Sequence, residues 1–291
     1  MQSNRIVISL LIMLLAGCAV GPDYRPVEVD TGQGWSEPEA AGMVTDADFV
    51  QWWRNFDDPT LERLVETALT QNLDIREAAA RVAEVRALSD AVAGRQWPVV
   101  GANGYVSRRR LSANGPFPVG QIPGYPRNQT VYDAGVAASW ELDVCGGTRR
   151  AVEAAGARLE AANEQLQAAR LSVAAETARV YLALRGAQHE QQALNAAVEA
   201  SRSSTGLVRQ QFAAGAVPEA AVAEAEAALA GVEARLPMIE AQVRTAALSL
   251  GILLGELPES ELGLADSSAD YVLLVPLPVG ERADILRRRP D

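Results

Sequence analysis

The sequence predicts a mainly α-helical protein that carries one transmembrane β-hairpin. Three observations lead there. Two long stretches repeat apolar residues every seven positions. A pair of period-two segments lies ahead of them. A short apolar leader ends on a cysteine.

The helical signal is the strongest. Val144 to Ala213 holds no proline, and Val152, Leu159, Leu166, Val173, Val180, Ala187, Leu194, Ser201 and Val208 recur every seven residues. A helix of that span is about 100 Å long at 1.5 Å per residue. Gly215-Ala216-Val217-Pro218 interrupts the pattern, and a second helix is expected from Glu219 to Leu254. There Val222, Leu229, Leu236, Val243 and Leu250 form one register, and Ala225, Val232, Ile239, Ala246 and Leu253 the other. Sustained heptads of this kind read as a coiled coil. Pro237 should kink the second helix. The pair is therefore an antiparallel hairpin whose tip is Ala214, Gly215, Ala216, Val217 and Pro218. An earlier helix should begin at Asp58-Pro59, where Asp caps and Pro fits the first turn. It should run to about Arg95 and stop before Pro98.

Between these helices the period changes to two. From Thr130 to Asp143, Tyr132, Ala134, Val136, Ala138, Trp140 and Leu142 share one face, and Asp133, Ser139, Glu141 and Asp143 lie on the other. A weaker strand spans Val99 to Arg109, and Gly- and Pro-rich residues from Arg110 to Asn128 read as a long loop. The pattern alone fits a half-buried soluble hairpin as well as a membrane one. Strand length, about 9–11 residues or more, meets the need of a tilted transmembrane strand. The membrane reading gains from the leader.

That leader is Ile6 to Leu15, preceded by Arg5 and followed by Ala16-Gly17-Cys18. It is shorter than the roughly 20 apolar residues of a spanning helix and fits a secretory signal. Leu15-Ala16-Gly17-Cys18 reads as a lipobox, with the Cys18 thiol as the lipid attachment point and cleavage after Gly17. Acyl chains contribute about 0.8 kcal/mol per buried CH₂, which holds the chain to a leaflet. Ala19, rather than an aspartate, follows and points to the outer membrane.

Composition narrows the function. The net charge is −11, and a nucleic-acid partner would require a basic stripe. Cys145 is the only other cysteine, so with Cys18 acylated no internal disulfide forms. Cys145 itself reads as a partly buried, inert thiol. No catalytic set, metal spacing, phosphate loop or cofactor site stands out. The single histidine, His189, sits beside Glu190 on a helix face. Function should lie in surfaces: Asp133, Ser139, Glu141 and Asp143 facing a water-filled lumen, and the tip Ala214 to Pro218.

Several motifs together resemble one family. They are Cys18 to Pro26, Trp52 with Phe56, Asp58-Pro59, Leu61, Leu64, Ala68-Leu69, Asn72 and Arg81-Val82. Further along come Trp140-Glu141-Leu142-Asp143, Ala175-Glu176, Tyr181-Leu182, Gly215 and Leu286 to Asp291. The chain resembles the TolC-like outer-membrane efflux channels, in particular their OprM- and NodT-like lipoprotein branch. The resemblance implies an outer-membrane β-barrel continued by a long periplasmic α-helical coiled-coil tunnel. Three protomers build it, each made of two similar halves. It also implies a passive exit duct for small molecules such as drugs. Its partners would be a periplasmic adaptor (membrane fusion) protein, met tip to tip at Ala214 to Pro218, an inner-membrane efflux pump, and outer-membrane lipid.

In that frame the layout is a signal peptide at 1–17, a lipidated arm and equatorial segment at 18–57, and a first periplasmic helix at 58–97. A barrel hairpin at 98–143 and a coiled-coil hairpin at 144–255 follow, then an equatorial linker at 256–291. One departure concerns Arg288-Arg289-Pro290-Asp291, which opens the family's second half but here ends the chain. The expectation is the first structural repeat only, and a homotrimer if full length. The alternatives are a truncated, non-conducting half-channel or, ranked lower, a periplasmic adaptor lipoprotein. Another departure is Val144-Cys145-Gly146-Gly147, where the family has leucine, phenylalanine, glycine and arginine.

Overall fold

The computed structural model describes residues 21–24, 49–112, 115–116 and 119–267. The leader, Cys18 and the Leu286 to Asp291 motif lie outside the described residues. The chain divides into two compact units, Met1–Pro26 with Glu84–Glu160 and Val27–Ala83 with Ala161–Asp291.

Helix α1, Pro59–Gln71, starts as expected: the Asp58 carboxylate accepts from Thr60 N at 2.8 Å and Leu61 N at 3.1 Å. The single helix expected to Arg95 is in fact two. Asn72 leaves the helical region at φ −56°, ψ 137°, and α2 restarts at Leu73–Ala93. The cause is the Asn72 side chain. Its Oδ1 accepts from Asp74 N and Ile75 N, capping α2, while its Nδ2 donates to Leu253 O at 2.8 Å.

The long helix α3 is Gly147–Ala213, followed by α4, Glu219–Glu233, and α5, Leu236–Leu253. The second coiled-coil arm is interrupted at Ala234-Arg235, but both residues keep right-handed helical angles, so the break is a local one within a single helical path, at the proline expected to kink it. Pro237 lacks an N–H and its ring would strike the Glu233 carbonyl four residues back, so the helix stops at Glu233 and restarts with Pro237 in its first turn. The heptads survive the break, for every repeat position from Val152 to Leu253 is buried or half-buried. The antiparallel pairing of α3 with α4 is visible in Thr205, whose Oγ1 donates to Ala225 O at 3.2 Å, and in the pairs Arg209–Glu226 and Arg202–Glu233. These exposed pairs contribute little; the stabilisation comes from the apolar seam.

The core of this unit packs Leu61, Leu64, Val65 and Ala68 of α1 with Val173, Tyr181 and Leu184 of α3 and with Val243, Leu250 and Leu254. Each large apolar side chain buried there contributes about 1.5–3 kcal/mol. Helix α5 closes with Gly255 at φ +73°, its N–H bonded to Ile252 O and Glu256 N–H to Gly251 O. A Cβ at Gly255 would lie 2.5 Å from Gln71 O, so glycine is needed for the approach as well as the turn. A short helix α6, Gly263–Asp266, follows.

In the other unit, β1, Val99–Arg110, pairs antiparallel with β2, Asn128–Ser139, in the register Val99↔Ser139 to Arg110↔Asn128. The expected strand end at Asp143 is too far by four residues. The next pair would set Trp140 against Pro98, which has no N–H to give the ladder. Among the described residues no helix is long and apolar enough to cross a membrane.

Candidate functional surfaces

Antiparallel pairing fixes which hairpin residues share a face. Val100, Ala102, Gly104 and Val106 lie opposite Ala138, Val136, Ala134 and Tyr132. This even-numbered face is apolar, with Tyr132 77% and Val136 78% exposed. The odd-numbered face carries Asn103, Ser107, Asp133 and Ser139. There the Asn103 amide donates to the Asp133 carboxylate at 3.4 Å. Both faces of the two-stranded sheet are open.

Of the four acidic-face residues expected on one strand, Asp133 and Ser139 are on β2. Glu141 and Asp143 lie beyond its end. Asp143 instead caps α3. Its Oδ2 accepts the Arg149 backbone N–H at 2.8 Å, and the Arg149 guanidinium stands 3.5 Å away. The backbone bond from Arg149, first, and a second from Thr148 hold its carboxyl below the usual carboxylate range. Cys145 is exposed, contrary to the expectation of partial burial, because it sits in the open link between β2 and α3.

Sequence reasoning missed two polar clusters. In the hairpin unit Arg150 donates to Asp23 at 2.8 Å, to Gly21 O at 3.2 Å and to Glu153 at 2.7 Å, tying the arm segment 21–24 to the start of α3. In the helical unit the Tyr181 hydroxyl donates to Asp58 Oδ2 at 2.6 Å and accepts from Arg185 Nε at 3.0 Å. Burial, then the bond to Asp58, pushes the Tyr181 phenol up. The buried Gln188 donates to Leu264 O at 2.7 Å and Ser267 O at 2.9 Å. Apart from the local Arg150–Glu153 and Tyr181–Arg185 contacts, these partners are 76 to 129 residues apart in the chain, and no local spacing announces them. His189 is exposed.

The helical tip is a tight reversal. Gly215 takes φ +71°, its N–H bonds to Phe212 O at 2.8 Å, and Ala216 N–H bonds to Gln211 O at 2.9 Å. This satisfies the last carbonyls of α3. Ala214, Gly215, Ala216 and Pro218 are exposed and Val217 is half-buried. Pro218 leads into α4 in extended conformation.

A β-hairpin open on both faces, within a chain of coiled-coil helices, defines the first repeat of a TolC-like outer-membrane channel. The outer-membrane channel OprN superposes with a TM-score of 0.79 at 35% identity, over 94% of this chain and 60% of that one. The Campylobacter jejuni CmeC outer membrane channel shares the fold, with a TM-score of 0.76 at 24% identity over 94% and 58%. This chain belongs to the outer membrane efflux protein family, whose model matches residues 64–256. Nodulation protein T of Rhizobium leguminosarum bv. trifolii is 30% identical over all of this chain and 61% of its own length. The toluene efflux pump outer membrane protein TtgC of Pseudomonas putida is 27% identical over all of this chain and 60% of its own. The chain thus spans about three fifths of these relatives.

Proposed function

We propose that this chain forms wall segments of a passive outer-membrane exit duct in a tripartite efflux system for small molecules such as drugs. The hairpin carries this reading. A sheet with one apolar face and one mixed face that holds the hydrogen-bonding Asn103, Asp133 and Ser139 side chains beside Val99 and Tyr105, both faces uncovered, suits lipid on the first side and a water-filled lumen on the second. Even-numbered residues such as Tyr132 and Val136 face lipid, and Asp133 and Ser139 line the lumen. Glu141 and Asp143 stand below the strand, near the lumen mouth, with Asp143 serving the helix cap. The coiled-coil hairpin extends into the periplasm, where its tip, Ala214 to Pro218, meets an adaptor protein. Small side chains and the tight Gly215 reversal let helix ends approach closely there. An inner-membrane pump supplies the energy. Acyl chains on Cys18 anchor the arm to the outer membrane, and the assembled channel is a homotrimer.

The test is ethidium accumulation with localisation. Cells lacking the protein accumulate more dye, and the wild-type gene restores export. The protein is recovered, acylated at Cys18, in the outer-membrane fraction. Unchanged accumulation, or unacylated protein in a soluble fraction, defeats the reading.

A further inference from the structure

The loop end of the β-hairpin carries a charge pattern that the duct does not require. From Val99 to Tyr132 the charged residues are Arg108, Arg109, Arg110 and Arg127, with no carboxylate, in a chain of net charge −11. The register separates the first three. Arg108 lies opposite Thr130 and Arg110 opposite Asn128, so both continue the apolar face just past Val106 and Tyr132. Both are exposed, and neither is in an ion pair among the described residues. Arg109 lies on the other face, with Asp133, and donates to Gln129 at 3.4 Å.

The positions of the aromatic residues set the level of these cations. Exposed Tyr132 and exposed Trp140 bracket the apolar stretch, and the Trp140 indole donates to Gln96 O. They are separated by about 26 Å of chain at 3.3 Å per residue, or about 20 Å of height at a 40° tilt. That is close to the apolar band of an outer-membrane barrel, about 25 Å, with its aromatic girdles. Arg108 and Arg110 therefore stand at headgroup height, on the lipid side, at the end remote from the helices.

We infer that Arg108 and Arg110 bind the headgroup of a lipid bearing more than one phosphate monoester, in the leaflet around the hairpin's loop end. This rests on the membrane reading of the hairpin. The backbone positions of Arg108 and Arg110, two residues apart on one face, stand roughly 7 Å apart along the strand. Two long cationic side chains rooted at that spacing can each reach a different phosphate of one headgroup, which a single phosphodiester does not offer. Each guanidinium can grip phosphate oxygens in a forked pair of charge-assisted hydrogen bonds. A zwitterionic headgroup, neutralised by its own ammonium, offers less. No carboxylate on either strand from Val99 to Tyr132 competes.

The test uses the full protein extracted from outer membranes. It is titrated with a diphosphorylated glucosamine-disaccharide lipid, and bound lipid is counted by native mass spectrometry. The double variant R108E/R110E should bind about tenfold more weakly or worse. R109E, on the opposite face, should bind as wild type does. The same lipid stripped of phosphate should bind wild type and double variant alike. Equal loss in R109E, undiminished binding by R108E/R110E, or equal binding of the stripped lipid by wild type overturns the proposal. R108Q/R110Q, with its melting temperature compared to wild type, separates lost binding from lost folding. Wild-type protein that fails to float with lipid vesicles defeats the membrane reading and this proposal together. Flotation with unchanged lipid binding in the double variant defeats the proposal alone.

Discussion

At the scale of single residues, Asp143 shows how one side chain changes role when the strand ends early. Alternation alone puts it beside Asp133 on a polar strand face. Instead it lies past Ser139 and accepts the Arg149 N–H at the start of a 67-residue helix. A carboxylate at a helix N-terminus satisfies otherwise unpaired N–H groups and meets the positive end of the helix dipole. Its folded pKa is depressed, so its stabilisation is present above the ordinary carboxylate value of about 3.9 and is lost as pH falls through the folded value. Asp143→Ala should therefore melt below wild type at neutral pH, and the two curves should converge in acid. Thermal melts in detergent across that range check this. A gap of constant size would place the role of Asp143 in something other than its charge.

At the scale of elements, Asn72 is the corresponding case. It divides the first helical stretch, caps α2 through Oδ1 and ties α1 to the end of α5 through Nδ2. It is 4% exposed, so truncation leaves buried backbone groups unpaired. Asn72→Ala should lower stability by about 2–3 kcal/mol, read from chemical denaturation, while Asn72→Asp should retain the cap and lose the bond to Leu253 O. The asparagine followed two residues later by Asp74 is an N-terminal helix signal, legible in the sequence but masked by the apolar repeat running through it. The heptads from Val152 to Leu253 were legible because burial follows them directly. The alternation of β2 was legible for a different reason: paired extended backbone sends successive side chains to opposite faces, whether or not either face is covered. Its end was not, since that depends on Pro98, 42 positions earlier, failing to donate to Trp140. The Arg150 clamp on Asp23 and the Tyr181–Asp58 bond were beyond reach, because only folding brings such distant partners together.

At the scale of the whole molecule, the two-stranded sheet poses the largest demand. Among the described residues no third strand covers either outer edge, and open edge N–H and C=O groups are not tolerated in hydrocarbon, so in a membrane other strands must close the sheet. Closure turns the two faces into an outside and an inside, and the inside has a testable charge. In the proposed trimer each protomer contributes one Asp133, and these carboxylates form a ring in the lumen. A ring of acidic side chains favours cations, as in other selective pores. The reversal potential of channels from the purified outer-membrane protein, measured in planar bilayers under a potassium chloride gradient, should show cation preference. Asp133→Lys should shift it towards anions. Val136→Lys, on the apolar face of the same strand, should impair membrane insertion with no such shift, since a lysine facing the bilayer midplane costs about 2–4 kcal/mol. If Asp133→Lys leaves the reversal potential unchanged while the protein still conducts, the odd-numbered face is not the lumen. The assignment of inside and outside along the whole hairpin would then have to be reversed.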